Sequence, residues 1–129
     1  MAAARNALAP GVTELEVYGE IVAAMAKAGG ENPGITMPVA SGVKSACVHA
    51  LASRRVIMPG DIVNVDVSGV YHRYHANMAR CFSIGEPDPA VRAALPRAAG
   101  MAMYINTLAF TPESAHFLQS TPAQLFVID

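Results

Sequence analysis

The chain has 129 residues, of which 53% are hydrophobic and 15% are charged, and its formal net charge is −1 at pH 7. This length predicts one domain with one core. The near-neutral charge argues against a nucleic-acid surface, and the lack of an 18-residue apolar run argues against a membrane span. We therefore expect a cytoplasmic protein whose two cysteines, Cys47 and Cys81, are free buried thiols.

The first predicted elements are helical. An Ala-rich lead is interpreted as the tail of a helix. Thr13 and Glu16 then form a capping box, which predicts an amphipathic helix over residues 14–28 that ends at a Gly-Gly pair. Apolar residues recur at helical spacing along one side of this segment, and Glu14 is expected on another face.

Short strands are predicted next. Ile35–Ala40 and Ala46–His49 are interpreted as strands on either side of a Ser41-Gly42 break. A Pro-Gly turn follows, and valines at 63, 65 and 67 then alternate with polar residues at 64, 66 and 68. This alternation predicts a strand with one apolar and one polar face.

A second strand of a hairpin is predicted over residues 71–82, with Ser68-Gly69 near the reversal. Val91–Leu95 begins a helical pattern, which a proline and a glycine then weaken. From Gly100 onward the sequence predicts no regular organisation.

Asp66 and Asn77 are candidate site residues because the hairpin brings them together. Without a bulge, their odd separation centres the turn between Tyr71 and His72 and makes them roughly cross-strand neighbours on one face. The same parity adds Asn64 and His75 to this face. A carboxylate and an imidazole can bind a metal there. The alternative, which the pattern alone favours, is a polar face in contact with solvent.

A series of short motifs along residues 11–87 resembles a known family. The matching residues are G-V-T-E-x-E-V at 11–17, S-G at 41–42, His49, P-G-D-I-V at 59–63, Asp66, Y-H-R-Y-H-A-N-M-A-R-C-F at 71–82 and G-E-P at 85–87. Their order and spacing resemble the amino-terminal part of the pita-bread catalytic domain. That family includes the Xaa-Pro aminopeptidases, proline dipeptidases, methionine aminopeptidases and creatine amidinohydrolases.

The resemblance implies an α+β fold, with an antiparallel sheet and helices packed on one face. It implies that residues 1–129 are a truncated pita-bread catalytic domain, in which residues 100–129 have no assigned place. In the family's peptidases, the position of His49 steadies the tetrahedral centre. The positions of Asp66 and Asn77 hold the first two ligands of a two-metal site (Mn, Co, Fe or Zn), whose bridging water attacks the peptide bond.

Asn77 departs from the family pattern, because an aspartate is expected at its position. An amide oxygen is uncharged and bridges two divalent ions poorly, so the resemblance leaves open whether this chain binds any metal. No other cofactor is implied. The expected substrate is a small peptide or a small molecule with a scissile C–N bond.

Three functional interpretations follow. The preferred one is a metal-dependent Xaa-Pro aminopeptidase or dipeptidase lineage. Asn77 favours a metal-independent, creatinase-like C–N hydrolase, in which His49 would transfer a proton. The length favours a module that does not catalyse, and we expect the chain alone to be inactive. Because half a sheet leaves edge strands unpaired, we also expect a homo-oligomer or other self-association.

Overall fold

The computed structural model describes residues 1–47, 49–94, 108–110, 115–117 and 126–128. The helices in chain order are α1 (Ala2–Ala7), α2 (Glu14–Lys27), a 3₁₀ helix (Gly42–Ala46) and α3 (Pro89–Ala94). The strands are β1 (Val39–Ser41), β2 (Ile62–Tyr71), β3 (Tyr74–Ile84), β4 (Leu108–Phe110), β5 (Ala115–Phe117) and β6 (Phe126–Ile128). Together they give the predicted α+β class.

The strands of the described ranges form one sheet in the order β1-β2-β3-β6 and a separate pair of β4 and β5. β1, β2 and β3 run antiparallel, as predicted, whereas β6 pairs with the end of β3 in parallel. The long β2–β3 hairpin therefore forms the centre of the sheet and carries the candidate site residues.

The α2 helix begins with the predicted capping box. The Thr13 hydroxyl accepts a hydrogen bond from the Glu16 backbone N–H at 3.2 Å, and a Glu16 carboxylate oxygen accepts one from the Thr13 N–H at 2.6 Å. The helix buries Val17 and Ile21, as its apolar spacing predicts. It also buries Glu14 completely, which the sequence pattern did not predict.

The hydrophobic core lies between the helices and the apolar face of the hairpin. It combines the alternating valines of β2 and the end of β3 with residues of α1 and α2, including Leu8, Ile21, Val63, Val65 and Phe82. Each of these side chains is at most 3% exposed. Burying one of them stabilises the fold by roughly 1.5–3 kcal/mol, so this layer sets the orientation of the sheet. The opposite face of the hairpin carries the polar residues.

The predicted strand Ala46–His49 is wrong. Gly42 adopts φ +57°, which turns the chain into the 3₁₀ helix, and the Ser45 hydroxyl donates to the Gly42 carbonyl at 2.7 Å. His49 then lies in a turn with φ +63°. The preceding prediction, Ile35–Ala40, shortens to β1. The glycine can adopt a left-handed conformation that an ordinary strand residue avoids, and this interrupts the extended chain.

The hairpin turn lies one residue beyond its predicted centre. His72 and Arg73 form a two-residue turn with φ values of 48° and 67°, and Ser68-Gly69 lies inside β2. Asp66 therefore pairs with Ala79 rather than with Asn77. A turn with two positive φ angles matches the twist of the strands, but it normally carries Asn-Gly, so the sequence offered no cue for it.

Both cysteines are free, as predicted, but their environments differ. Cys81 is buried on β3, whereas Cys47 is exposed after the 3₁₀ helix, so the expectation of two buried thiols is wrong for Cys47. Among the helices described, none has the length and apolar character needed to cross a membrane.

Candidate active site

The polar face of the hairpin is buried, so the prediction of a solvated face is wrong. Asn64, Asp66 and Ser68 are only 4%, 2% and 7% exposed. The Asn64 side-chain N–H donates to the Ser45 carbonyl at 2.7 Å, which brings the 3₁₀ helix against this face. The segment that the sequence predicted as a strand thus helps to cover the polar side chains instead.

Asp66 and Asn77 share this face, as the parity of the sequence predicted. Asn77 pairs with Ser68 and Asp66 pairs with Ala79, so the two candidates are diagonal neighbours. The Asn77 amide donates to the Ser68 hydroxyl at 2.8 Å and also hydrogen-bonds to the Asp66 side chain. These hydrogen bonds join the three side chains in one polar cluster.

The Asp66 carboxylate is buried, but its hydrogen bonding is incomplete. Its Oδ1 atom is inaccessible and has no hydrogen-bond partner in the described part of the chain. Burial raises the pKa of Asp66, and the hydrogen bond from Asn77 and the positive charge of His49 offset only part of this effect. A buried acceptor without a donor costs about 1–3 kcal/mol, so Asp66 weakens the isolated fold.

His49 reaches this cluster from another part of the chain. It is exposed and lies in the turn after the 3₁₀ helix, close enough for its charge to lower the pKa of Asp66. The exposed His49 therefore lies near the buried Asp66 carboxylate. The structure brings together the three residues singled out by the sequence: His49, Asp66 and Asn77.

His75 does not join the cluster. It is exposed near the hairpin tip, where a Cβ atom added at Gly34 would lie 3.0 Å from its Cε1 atom. His72 lies at the tip beside Tyr71, with ring centroids 4.3 Å apart. His75 is therefore exposed to solvent, unlike the buried polar residues of β2.

Two contacts of the site were not predicted. Ser68 accepts the hydrogen bond from Asn77, and the Cys81 thiol donates to the Asn64 side-chain oxygen at 2.8 Å. Ser68 continues the alternation that begins at Asn64, so the same parity could have identified it. Cys81 carried no such cue, because a cysteine on a strand is more often a small apolar residue.

The family of the chain follows from comparison with known proteins. The sequence pattern of metallopeptidase family M24 matches residues 1–104. The chain belongs to this family. A probable dipeptidase PepE of Mycobacterium tuberculosis is 40% identical over 85 residues, which cover 65% of this chain and 22% of the relative.

Solved structures of M24 relatives have the same fold. An X-Pro aminopeptidase of Thermotoga maritima has a TM-score of 0.69 and 33% identity, covering 72% of this chain and 26% of the other. An Xaa-Pro dipeptidase of Bacillus anthracis has a TM-score of 0.78 and 21% identity, covering 98% of this chain and 60% of the other, and this likeness concerns the fold alone. The chain thus has part of the pita-bread fold, and it spans about a quarter of the length of the curated relatives it matches.

M24 metallopeptidases use divalent metals, and a site for such ions needs several charged oxygen or imidazole ligands. The described residues contain no group of three or more His, Cys, Asp or Glu side chains that could hold a metal ion. Asp66 offers one buried carboxylate, but Asn77 offers an uncharged amide whose N–H groups already donate to Ser68 and Asp66. This donor set does not fit a pair of divalent ions.

Proposed function

We propose that this M24 chain forms one wall of the catalytic pocket of a hydrolase of the Xaa-Pro dipeptidase and aminopeptidase lineage. The observation that carries the proposal is the meeting of Asp66, Asn77 and His49, which come from a central hairpin and a separate loop. In this proposal residues 1–129 are part of one pita-bread domain. The substrate is a small peptide, as the names of the similar dipeptidases suggest.

Each side chain has a distinct role in the proposed pocket. The exposed imidazole of His49 stands on the substrate side, where it holds or donates a proton at the oxygen of the scissile carbonyl. Asp66 offers its Oδ1 atom, which has no hydrogen-bond partner among the described residues, to a positively charged or N–H-bearing group. Asn77 orients that carboxylate through its amide N–H. The hydrolytic step also needs an activated water, for which the described residues offer no complete donor set.

We further propose that the chain alone does not hydrolyse peptides. The reason is the donor set: one carboxylate and one amide cannot compensate two divalent ions or activate water between them. The test incubates the chain with Xaa-Pro dipeptides and Mn²⁺ and measures the release of proline. We expect no release above that of a denatured control. Turnover that disappears in Asp66→Asn would contradict this proposal.

Calorimetric titration of Mn²⁺ tests the assignment of Asp66 and Asn77 to one ligand position. We expect little heat from the natural chain and measurable binding by Asn77→Asp, because the change places a second carboxylate beside the first. The matched control is Asp66→Asn combined with Asn77→Asp, which keeps one carboxylate and should lose the binding. Equal binding by both variants would mean that Mn²⁺ binds at a site other than Asp66 and Asn77.

A second candidate function is favoured by Asn77 itself. Its amide donates to Ser68 and Asp66, so it stabilises the Asp66 carboxylate with an uncharged hydrogen-bond donor. This arrangement suits metal-independent cleavage of a C–N bond in a small molecule, with His49 transferring the proton. Hydrolysis of small guanidino or amide compounds that persists in a metal chelator would favour this candidate over the peptidase.

The proposal includes self-association in the cytoplasm. Several large apolar side chains are exposed in the described part of the chain, among them Ile35 at 55%, Val43 at 93% and Tyr74 at 84%. Free thiols at Cys47 and Cys81 agree with a reducing compartment. Light scattering at tens of micromolar should therefore report oligomers, and a sharp monomer peak would contradict this part of the proposal.

A further inference from the structure

The Glu14 carboxylate lies at the centre of a second polar cluster. It is fully buried at the start of α2 and accepts hydrogen bonds from the backbone and hydroxyl of Ser41, both at 2.8 Å. It also accepts from the Ser53 backbone at 2.9 Å, from the Ser53 hydroxyl at 2.7 Å and from the Lys44 ammonium. Glu14 thus joins α2, the end of β1, the 3₁₀ helix and the segment before β2.

Lys44 extends this cluster to the loop that carries His49. Besides Glu14, its ammonium donates to the Leu51 carbonyl at 2.7 Å and to the Ser53 hydroxyl at 2.9 Å. An ammonium has three N–H donors, so these three hydrogen bonds use all of them. The contact with the Leu51 carbonyl closes the chain between residues 44 and 51 into a loop, and His49 lies inside it.

Among the described residues, this closure acts together with a few backbone contacts of the loop. The Cys47 N–H donates to the Lys44 carbonyl at 3.0 Å, the Ala50 N–H donates to the Cys47 carbonyl at 3.4 Å, and Leu51 forms an isolated bridge with Pro38. His49 is exposed and has φ +63°, a left-handed conformation that is uncommon for residues with a side chain. Lys44 joins the two ends of the loop that holds His49, and Ser53 anchors the chain just beyond the loop to Lys44 and Glu14.

We propose that Glu14 and Lys44 are positioning residues that hold His49 toward Asp66. Glu14 fixes the ammonium, the ammonium fixes the Leu51 carbonyl, and the closed loop fixes the imidazole. The other charged groups near Glu14 are Arg55, which donates to the Ser41 hydroxyl at the end of β1, and its ion-pair partner Asp61. The catalytic meaning of the positioning rests on the proposed function, whereas the positioning itself does not.

The test follows the His49 imidazole C–H signal by NMR at one pH, with a His49→Asn variant for its assignment. Asp66→Asn removes a nearby negative charge, so it should shift the His49 signal in the natural chain. In the Lys44→Met background the same change should lose most of this shift, because the loop is no longer closed. The signals of His72 and His75 at the hairpin tip should stay where they are.

Val17→Ala is the matched control, because it removes buried contacts from α2 without touching the cluster. At an equal loss of melting temperature, it should leave the His49 response to Asp66→Asn intact. A full His49 response in Lys44→Met, or an equal loss in Val17→Ala, would overturn the proposal. Lys44 is partly exposed, so Lys44→Met keeps the test usable if Glu14→Gln fails to fold.

A second readout is cleavage by trypsin after Arg54, three residues beyond the Leu51 end of the loop. We expect Lys44→Met and Glu14→Gln to be cut there faster than Val17→Ala at matched stability, and Lys44→Arg to slow the cutting again. Equal cleavage rates in all variants would contradict the closure of the loop by Lys44. Neither readout uses hydrolytic activity, so turnover by the chain alone would contradict the proposed function and leave the positioning intact.

Discussion

Replacing Asn77 by aspartate should test how hydrogen bonds from Asn77 stabilise the buried Asp66 carboxylate. In the natural chain the Asn77 amide donates to the Ser68 hydroxyl at 2.8 Å and to the Asp66 carboxylate. Asn77→Asp removes both donors. The Ser68 hydroxyl can rotate and donate to the new carboxylate, so that hydrogen bond is recovered. The contact with Asp66 instead becomes a repulsion between two like charges.

The expected loss of stability can be worked from these contacts. A hydrogen bond to a charged group contributes about 1.5–3 kcal/mol, and its loss is not compensated at Asp66. Two carboxylates a few ångströms apart repel by roughly 4 kcal/mol at an effective dielectric constant of about 20. The pair relieves part of this by keeping one proton. We therefore expect a net loss of about 2–4 kcal/mol in mildly alkaline solution.

Urea denaturation followed by circular dichroism, at several pH values, measures this loss. The retained proton gives the folded protein a carboxyl pKa above that of the unfolded chain, so the free energy of unfolding should fall as the pH rises through that folded pKa. Asn77→Ala is the control, since it removes the same hydrogen bonds without adding a charge. Its loss should not depend on pH in this way.

Mn²⁺ should restore part of the stability of Asn77→Asp, because an ion that binds only the folded state shifts the unfolding equilibrium. The natural chain and Asn77→Ala should gain little. The reasoning would be refuted if Asn77→Asp and Asn77→Ala lost the same stability at every pH. That result would mean that Asp66 and Asn77 do not interact in the folded protein.

Three further predictions concern stability. Burial raises the pKa of Asp66, so the charged carboxylate lowers the stability of the fold above the folded pKa. Asp66→Asn should therefore gain about 1 kcal/mol of unfolding free energy at neutral pH and nothing in acid, as measured by urea denaturation. For Glu14, burial raises the pKa but the hydrogen bonds from Lys44 and the serines outweigh it, so the pKa is lowered from 4.5. Its contribution should be lost as the pH falls below about 4.5 toward the lowered value, and circular dichroism of Glu14→Gln should lack this acid step. His72→Asn combined with Arg73→Gly should raise the free energy of unfolding by about 1 kcal/mol in calorimetry, because it relieves two left-handed backbone positions, and an unchanged melting temperature would refute the strain.

Some elements could be predicted because their causes are local. The capping box of Thr13 and Glu16 satisfies backbone groups within one helical turn, and the α2 helix accordingly begins at Glu14. The alternation around Val65 and Asp66 needs only the geometry of one strand. For the same reason, the shared face of Asp66 and Asn77 was predicted correctly although the turn was misplaced. A shift of two residues in register preserves which side of the sheet each residue faces.

Other features could not be predicted because distant segments determine them. The register of the hairpin depends on positive φ angles at His72 and Arg73, residues that are uncommon in such turns. The predicted strand at Ala46–His49 failed because Gly42 turned the chain into a 3₁₀ helix. That helix then covers Asn64, so the polar face became an interior one.

The sequence by itself determined the helix α2, the alternating strand β2 and the family pattern that led to His49, Asp66 and Asn77. Only the tertiary structure decided that the polar face is buried and that Glu14 is a central buried group. The physical reason is the separation along the chain between the residues that interact. A capping box or an alternating strand is complete within a few residues, whereas the donors to Glu14 lie 27 to 39 residues away along the chain and meet it only when the fold is formed.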